Sequence, residues 1–370
     1  MTGAMLDGLA RCQTIDEFHD VCVPLGLYTD RRFMHLELDL VNRCNIRCVM
    51  CYHSLDSTRR TSTVYLNPDD FTASASRILP HAHRLSLSLG NEPLMSPHFI
   101  TILRIAARYT VPNVNFFTNG LLLNDANIDA IIHCGVTQVC VSIDGATPAT
   151  YNYIRRDGDF HQLLRNVERL VARRDAADSA TPRVRFDIVM MQRNVHELVD
   201  IVELAARLGV DQLCFRHVVS FEGLGMEQES LTHTKALSNY WLEAALRAAD
   251  NLGLDVQQHP APFDLGGQNP DPTEPAAGAA FLPTPYCPFP FFHISMGPGG
   301  HVLACPHAHG EAPYGQVSAE TPIDRIWLNS KFVTLRQRIL QHDPPDMCRR
   351  CPFLALKHPD TAALFATRRH

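Results

Sequence analysis

The chain has 370 residues, is 45% hydrophobic and 19% charged, and carries a formal net charge of −6. This composition is typical of a globular protein with one large and one smaller domain, and the acidic balance argues against a nucleic-acid partner. No stretch has the roughly 18 consecutive apolar residues of a membrane span and no signal peptide begins the chain, so we expect a cytoplasmic protein without a membrane partner.

Six β-rich segments predict the strands of a single sheet. In chain order they are HLELDLV (35–41), RLSLSLG (84–90), VNFFTNG (114–120), QVCVSIDG (138–145), VRFDIVMM (184–191) and QLCFRHVV (212–219). The segments between them have helix start and stop signals, such as Asn67 before Pro68 and the terminating Gly135 and Gly209. Because strands alternate with helices, we predict an α/β fold, a partial (β/α)6 TIM-like barrel whose chemistry lies at the carboxyl ends of its strands.

Composition also predicts the domain boundaries. Residues 1–34 form an N-terminal extension and residues 35–258 form the barrel. The Pro- and Gly-rich stretch 259–286 has no sustained periodicity, so we expect a linker that acts as a hinge or lid. A smaller Cys- and His-rich domain at 287–356 and a tail at 357–370 follow. We expect the smaller domain to dock over the barrel mouth as a wall.

The 12 cysteines favour metal binding, because disulfides are rare in a reducing cytoplasm. Three of them, Cys44, Cys48 and Cys51, lie in one loop directly after the first predicted strand. A structural zinc site fills all four of its positions, and His53 offers a fourth ligand, so a Cys3His zinc site is one interpretation. A four-iron cubane held by three thiolates is the other, and it leaves one iron open to a ligand from outside the protein.

The cysteine spacing resembles that of the radical S-adenosylmethionine (SAM) superfamily, in which the open iron binds the amino and carboxylate groups of SAM. Four further segments, LGNEP, FFTNG, VSIDG and YNYIRRDG, are similar to SAM-binding elements of that family. The resemblance implies SAM contacts from Gly90, Asn91, Glu92, Pro93, Thr118, Asn119, Ser142, Asp144 and Arg155. Met50 replaces the aromatic residue usual before the third cysteine, and Tyr52 is expected to take its place near the adenine.

Four more cysteines, Cys287, Cys305, Cys348 and Cys351, lie in the C-terminal domain. Their spacing and the segment YGQVSAETPIDRIWLNSKFVTLRQRI resemble the SPASM/twitch extension of radical SAM enzymes. A full SPASM domain has seven cysteines, so the resemblance implies the shorter twitch form with one auxiliary 4Fe-4S cluster on four thiolates. A four-cysteine zinc ribbon is the alternative.

The resemblance implies that reductive cleavage of SAM gives a 5′-deoxyadenosyl radical, which removes hydrogen from the substrate. Twitch members with one auxiliary cluster resemble enzymes that oxidise aminocyclitols or sugars in natural-product pathways, so the resemblance implies a small hydroxyl-rich substrate. Few residues precede the first strand, too few for the leader-binding domain that peptide maturases tend to carry. A sugar, nucleotide sugar or aminocyclitol would undergo dehydrogenation or epimerisation. Peptide modification is the main alternative, and a zinc-binding interaction protein is a distant one. A flavodoxin or ferredoxin is the expected electron donor.

The sixth predicted strand contains three candidate catalytic residues, Cys214, Arg216 and His217. Cys214 is a candidate hydrogen donor, although a buried free cysteine is more often a small core residue. Arg216 and His217 alternate in direction, so we expect one of them to point into the barrel. Either can bind a hydroxyl, carboxylate or phosphate group, and His217 is the candidate base.

Overall fold

The computed structural model describes residues 3–27, 30–59, 61–219, 223–265, 287–305, 312–318, 320–349 and 351. The predicted linker at 259–286 lies outside the described residues from 266 onward, and with it the expected hinge or lid. The predicted tail at 357–370 also lies outside them. The domain boundaries therefore stay predictions.

The strands of the described chain are β1 (Met34–Leu38), β2 (Arg47–Cys48), β3 (Ala82–Ser86), β4 (Asn113–Thr118), β5 (Gln138–Ser142), β6 (Arg155–Arg156), β7 (Arg183–Met190), β8 (Gln212–His217), β9 (Asp255–Gln258), β10 (His293–Met296), β11 (His301–Leu303) and β12 (Gly315–Gln316). The six predicted strands correspond to β1, β3, β4, β5, β7 and β8. Each pairs in parallel with the next. The predicted partial α/β barrel is confirmed.

The helices of the described chain are α1 (Gly3–Arg11), α2 (Ile15–Cys22), α3 (Asp56–Arg59), α4 (Pro68–Ile78), α5 (Phe99–Ala107), α6 (Asp125–His133), α7 (Pro148–Ile154), α8 (Phe160–Ala176), α9 (Leu198–Arg207), α10 (Lys235–Asn251), α11 (Phe289–Phe292), α12 (Ile323–Trp327), α13 (Ser330–Leu340) and α14 (Asp346–Arg349). The Asn67 side chain accepts from the backbone of Asp69 at the start of α4, as its capping role predicts. Gly135 and Gly209 have positive φ after α6 and α9. Among these helices, none is both long and apolar enough to cross a bilayer.

The sheet extends beyond the predicted barrel at both ends. Its strand order is β12-β11-β10-β1-β3-β4-β5-β7-β8-β9. At one end, β9 pairs in parallel with β8; the sequence did not predict it, since its residues DVQQ include a single apolar side chain. At the other end, β10 of the C-terminal domain pairs in parallel with β1. The C-terminal domain therefore continues the sheet. Its expected role as a wall over the barrel mouth stays a prediction.

Side chains alternate between the two faces of each strand. On β4, Phe116 points to the helices, where its ring lies 5.3 Å from that of Phe99 on α5. Phe117 points to the opposite face, where it meets arginines of β7 and β8. We call this second face the lumen. At its amino end, a cavity of about 620 Å³ is lined mostly by polar residues, including His35 and Gln138.

The N-terminal helices pack against the C-terminal domain. Arg336 of α13 is fully buried, donates to the carbonyls of Pro290 and Trp327 at 2.7 Å each, and lies 4.4 Å from the ring centre of Phe18 on α2. Gln337 donates to the carbonyl of Leu6 on α1 at 2.9 Å. These contacts join the first and last described parts of the chain.

Candidate active site

The three cysteines of the loop after β1 come within electrostatic reach of one another. Cys48 is buried on β2, and Cys44 and Cys51 are partly buried. The loop turns tightly, because Cys51 donates its backbone N–H to the carbonyl of Cys48 at 3.0 Å. Burial raises the pKa of Cys44 to about 12, and Glu92, Cys48 and Cys51 add to the rise. A bound cation would offset this rise and stabilise the thiolates.

Arg155 joins this loop to the VSIDG segment. It pairs with Cys48 across the short β2–β6 ladder, and its Nη1 donates to Cys48 Sγ at 3.6 Å. Its Nη2 lies 2.7 Å from Asp144 Oδ2. Both side chains are buried, that of Asp144 completely. The Arg155 charge is therefore shared between a carboxylate and a thiol. Direct contact of either residue with SAM stays a prediction.

Asp39 holds the LGNEP segment in place, a role that the sequence did not reveal. It directly follows β1 and is buried. Its Oδ1 accepts from the backbone N–H groups of Leu89 at 2.8 Å, Gly90 at 3.2 Å and Asn91 at 3.3 Å. Its Oδ2 accepts from the Asn91 side chain at 2.6 Å. The available signal was an acidic residue at the carboxyl end of the first strand.

Glu92 ties the LGNEP segment to the end of β4. Its Oε1 accepts from Thr118 Oγ1 at 2.8 Å and from the Leu94 N–H at 3.2 Å, and its Oε2 accepts from the Asn119 N–H at 2.7 Å. Burial raises the pKa of Glu92 to about 7. The Asn119 side chain lies 3.8 Å from Cys44 Sγ, so these segments and the cysteine loop form one hydrogen-bonded unit. The predicted role of Glu92 as acceptor for the SAM amino group stays a prediction.

The other predicted SAM-contacting residues also lie at the carboxyl edge of the sheet. Tyr52 Oη donates to the Gly90 carbonyl at 2.9 Å. A Cβ atom on Gly90 would lie 2.7 Å from that Oη, so a side chain there would displace the ring. Pro93 begins a short 3-10 turn, and Ser142 is the last residue of β5. The structure therefore brings together all ten predicted residues, although their contacts with SAM stay predictions.

The four C-terminal cysteines approach one another despite their distance in sequence. Cys287 precedes α11, Cys305 follows β11, and Cys348 lies on α14. Cys351 donates its N–H to the Cys348 carbonyl at 3.2 Å. Burial raises the pKa of Cys287, and the nearby Cys348, Cys305 and Cys351 raise it further. The four thiols can thus surround one buried group.

The register of β8 decides the directions of its candidate residues. Arg216 faces the lumen, with its guanidinium 5.8 Å from the Phe117 ring centre, and the buried Cys214 faces the same side. His217 faces away, with its ring 4.6 Å from that of Phe263. Burial lowers the pKa of His217 to about 4. One residue of the Arg216–His217 pair points inward as expected, but His217 is not positioned to act as a base in the lumen.

Residues 38–205 match the sequence profile of the radical SAM superfamily, and residues 287–352 match that of SPASM, an iron-sulfur cluster-binding domain. The first match contains the three-cysteine loop, and the second contains the four C-terminal cysteines. The chain therefore contains a radical SAM domain followed by a SPASM domain. Its two domains imply SAM and two 4Fe-4S clusters, one that binds SAM and one auxiliary, as the sequence predicted.

The residues of this radical SAM protein fit those cofactors. Each thiolate of a cubane binds a different iron, so its ligands stand farther apart than the ligands of a single ion. Within the described residues, no three or more His, Cys, Asp or Glu side chains converge on one ion position. The three-thiol and four-thiol donor sets fit the two clusters that these domains imply. The three-thiol site also leaves a coordination position for SAM.

Curated relatives match this radical SAM protein to different extents. It is 26% identical over 310 residues to "Mycofactocin maturase MftC" of Mycobacterium ulcerans. This alignment covers 82% of this chain and 76% of the relative. It is 25% identical over 178 residues to "GTP 3′,8-cyclase" of Synechocystis, which covers 48% of this chain and 52% of the cyclase. The maturase match thus includes most of this chain, whereas the cyclase match spans about half of each protein.

Solved structures share the fold. SuiB of Streptococcus suis bound to S-adenosylmethionine superposes with a TM-score of 0.64 at 11% identity, over 92% of this chain and 75% of SuiB. SuiB bound to its precursor peptide SuiA gives a TM-score of 0.62 at 10% identity, over 87% of this chain and 70% of SuiB. The enzyme anSMEcpe with AdoMet and the Cp18Cys peptide gives 0.58 at 15% identity, over 87% of each chain. At these identities the likeness shows the fold alone.

Proposed function

We propose that the protein is a radical SAM/SPASM enzyme that modifies a peptide, rather than the sugar-like substrate expected from its sequence. The observation that carries this proposal is the match to mycofactocin maturase over most of the chain, compared with about half for the GTP cyclase. SuiB and anSMEcpe, which share the fold, have been solved with bound peptides. The comparisons give no support to a sugar, nucleotide sugar or aminocyclitol.

The open sheet suits an extended substrate. β9 ends the sheet, and three of its four residues are exposed. Within the described part of the chain, no strand pairs with the outer edge of β9. An extended peptide can add to such an edge as a further strand and present one side chain to the carboxyl edge, where the predicted SAM-contacting residues lie.

Cys44, Cys48 and Cys51 would hold the cluster that, when reduced, would supply the electron for cleavage of SAM and so the means to remove a hydrogen atom from the substrate. The chain's own residues prepare the site for this chemistry. Asp39 and Glu92 fix the LGNEP segment against β1 and β4. Arg155 and Asp144 place a buried ion pair beside Cys48. A site fixed in this way holds the reacting carbon near SAM and excludes water.

The reaction we propose is an oxidation, either a carbon–sulfur or carbon–carbon crosslink or a dehydrogenation. One hydrogen leaves the peptide as an atom and a second as a proton, so one electron needs an acceptor. Cys287, Cys305, Cys348 and Cys351 would hold the cluster that could accept this electron. Epimerisation is a second candidate, favoured by the direction of Cys214 into the lumen, from which its thiol can donate a hydrogen atom. A flavodoxin or ferredoxin remains the predicted electron donor, and the cytoplasm the predicted location.

The test is anaerobic incubation of the reconstituted protein with SAM, a reductant and candidate substrates. The candidates are synthetic peptides encoded by short genes flanking this one, GTP, and a panel of sugars and aminocyclitols. We expect a peptide to stimulate 5′-deoxyadenosine formation and to lose a pair of hydrogens, as measured by mass spectrometry. The Cys44→Ala variant is the inactive control. Turnover of a sugar or of GTP with no peptide product would overturn the proposal.

A peptide product of unchanged mass would identify epimerisation instead. In D2O that product gains a deuteron from an exchangeable thiol. The Cys214→Ala variant would then lose deuterium incorporation while it still forms 5′-deoxyadenosine. If the variant incorporates deuterium as the wild type does, Cys214 is not the donor.

A further inference from the structure

Two arginines and one aspartate meet in the lumen. Arg185 of β7 is buried and donates to both carboxylate oxygens of Asp187, from Nε at 2.7 Å and from Nη2 at 3.0 Å. Arg216 of β8 approaches the same carboxylate, with its Nη2 3.7 Å from Asp187 Oδ1. Two guanidinium groups therefore share one carboxylate, and the cluster carries one net positive charge.

Both guanidiniums lie against one aromatic ring. The Cζ atoms of Arg185 and Arg216 lie 5.5 Å and 5.8 Å from the ring centre of Phe117 on β4. These contacts orient the Arg216 guanidinium without using its N–H groups. Its side chain is 48% exposed, whereas that of Asp187 is 11% exposed. Arg216 therefore presents an oriented, accessible cation to the open lumen.

The other charged groups of the lumen do not neutralise Arg216. Glu37 of β1 is half-buried and interacts with Arg84 of β3, and three strands separate β3 from β8 in the sheet. Asp39 is engaged by the backbone of the LGNEP segment. Among the described residues, Asp187 is the one acidic group paired with Arg216.

The cluster lies beside the predicted SAM site. Asp187 is the register partner of Ser142 on one side and of Cys214 on the other. Ser142 begins the segment that contains Asp144, both predicted to contact SAM. A group bound by Arg216 on β8 would therefore lie about two strands across the sheet from Ser142 on β5, near the predicted SAM site.

We propose that Arg216 binds a carboxylate of the substrate, and so selects an acidic side chain or the C-terminal carboxylate of a peptide. This inference rests on the proposed function for the source of the carboxylate. A guanidinium binds a carboxylate through two parallel hydrogen bonds, and the exposed Arg216 side chain on the lumen face can offer such a pair of N–H groups. Arg185 and Asp187 are positioning residues that hold Arg216 in place.

The test measures binding of small probes by calorimetry, with the reconstituted full chain and SAM. The probes are N-acetylglutamate N-methylamide for a side-chain carboxylate, N-acetylglycine for a C-terminal carboxylate, N-acetylglutamine N-methylamide as the neutral isostere, and methyl phosphate. The variants are Arg216→Gln and Arg216→Lys. Arg183→Gln is the matched control. Arg183 lies on β7, pairs with Asp255, and has a side chain that is 47% exposed, close to the exposure of Arg216.

We expect one of the two carboxylates to bind at least tenfold more tightly than the neutral isostere and than methyl phosphate. Arg216→Gln should weaken that binding at least tenfold, Arg216→Lys should weaken it less, and Arg183→Gln should leave it unchanged. Equal binding of the isostere, preference for methyl phosphate, or wild-type affinity in Arg216→Gln would overturn the proposal.

This readout separates the two proposals. Carboxylate binding through Arg216 does not require that a peptide be turned over, so it can succeed where the peptide test fails. Conversely, if a peptide is processed, Arg216→Gln should raise its KM at least tenfold and change kcat less. An unchanged KM in that variant would refute the role of Arg216 and leave the peptide function intact.

Discussion

The two groups of cysteines are supported by different interactions. Around the N-terminal loop the support is polar, since Asn119 and Arg155 donate to Cys44 and Cys48. At the C-terminal group the support near Cys287 is apolar, since the helix that follows this cysteine contains the fully buried Phe291. The difference matches two roles. A three-thiol site with polar neighbours can admit SAM, whereas a four-thiol site in an apolar setting has no vacant position and suits electron transfer.

The largest expected effect separates the two groups directly. Cys44→Ala should abolish 5′-deoxyadenosine formation, because it removes one of three ligands from the SAM-binding cluster. Cys287→Ala should keep SAM cleavage and lose the modified product. Each variant should retain about four irons per chain, compared with about eight in the wild type. Iron analysis and 5′-deoxyadenosine assays check this, with Cys12→Ala as a control cysteine. Loss of SAM cleavage in both variants would show that the groups are not independent.

A second test concerns the buried ion pair beside Cys48. Asp144→Asn leaves Arg155 buried without its carboxylate, which should lower the free energy of unfolding by about 3–5 kcal/mol. Urea unfolding of the reconstituted protein measures this. Asp175→Asn is the matched control, because Asp175 also pairs with an arginine but is 61% exposed, so its loss should cost about 0–1 kcal/mol. Equal effects in the two variants would argue against polar support of the loop.

A third test concerns Asp39. Asp39→Asn keeps the shape of the side chain but replaces the carboxylate that accepts three backbone N–H groups by an amide. The substitution should reduce the free energy of SAM binding by about 2 kcal/mol, which weakens binding roughly 10- to 50-fold. Calorimetric titration with SAM measures the change. The same substitution should leave the spectrum of the C-terminal cluster unaltered. Unchanged SAM affinity would mean that the LGNEP segment does not depend on Asp39.

The smallest expected effect comes from Tyr52. Tyr52→Phe removes the hydrogen bond to the Gly90 carbonyl and should weaken SAM binding about fivefold, equivalent to about 1 kcal/mol. Tyr153→Phe is the control, because Tyr153 is 48% exposed and its ring, not its hydroxyl, meets Arg193. A loss above a hundredfold in Tyr52→Phe would assign the hydroxyl a direct part in SAM binding.

Local patterns in the sequence predicted much of the site. The spacing of Cys44, Cys48 and Cys51 and the positions of Glu92 and Asp144 after strands need only a few neighbouring residues to be recognised, and the structure places them together. The same holds for the six barrel strands, whose apolar alternation is local. The predicted strands extend beyond the carboxyl ends of the observed strands. In the predicted segment 84–90, for example, the strand ends at Ser86, and Leu89 lies in a loop where its N–H donates to Asp39.

Features that depend on pairing between distant residues were not predictable. The direction of His217 follows from the register of β8 against β7, which alternation alone leaves open. The pairing of β10 with β1 joins residues more than 250 positions apart, and no local pattern indicates it. Asp39 was assigned to a strand, since its contacts come from a segment 50 residues later. The substrate class was predicted from the resemblance, and the comparisons favour the alternative.

The most direct test of the account is electron paramagnetic resonance of the reduced Cys287→Ala variant with and without SAM. This variant should hold only the cluster of the N-terminal loop. We expect SAM to change the g values of that cluster, because it binds the iron that no cysteine occupies. A spectrum that is identical with and without SAM would contradict the central claim that the three-cysteine loop leaves one iron for SAM.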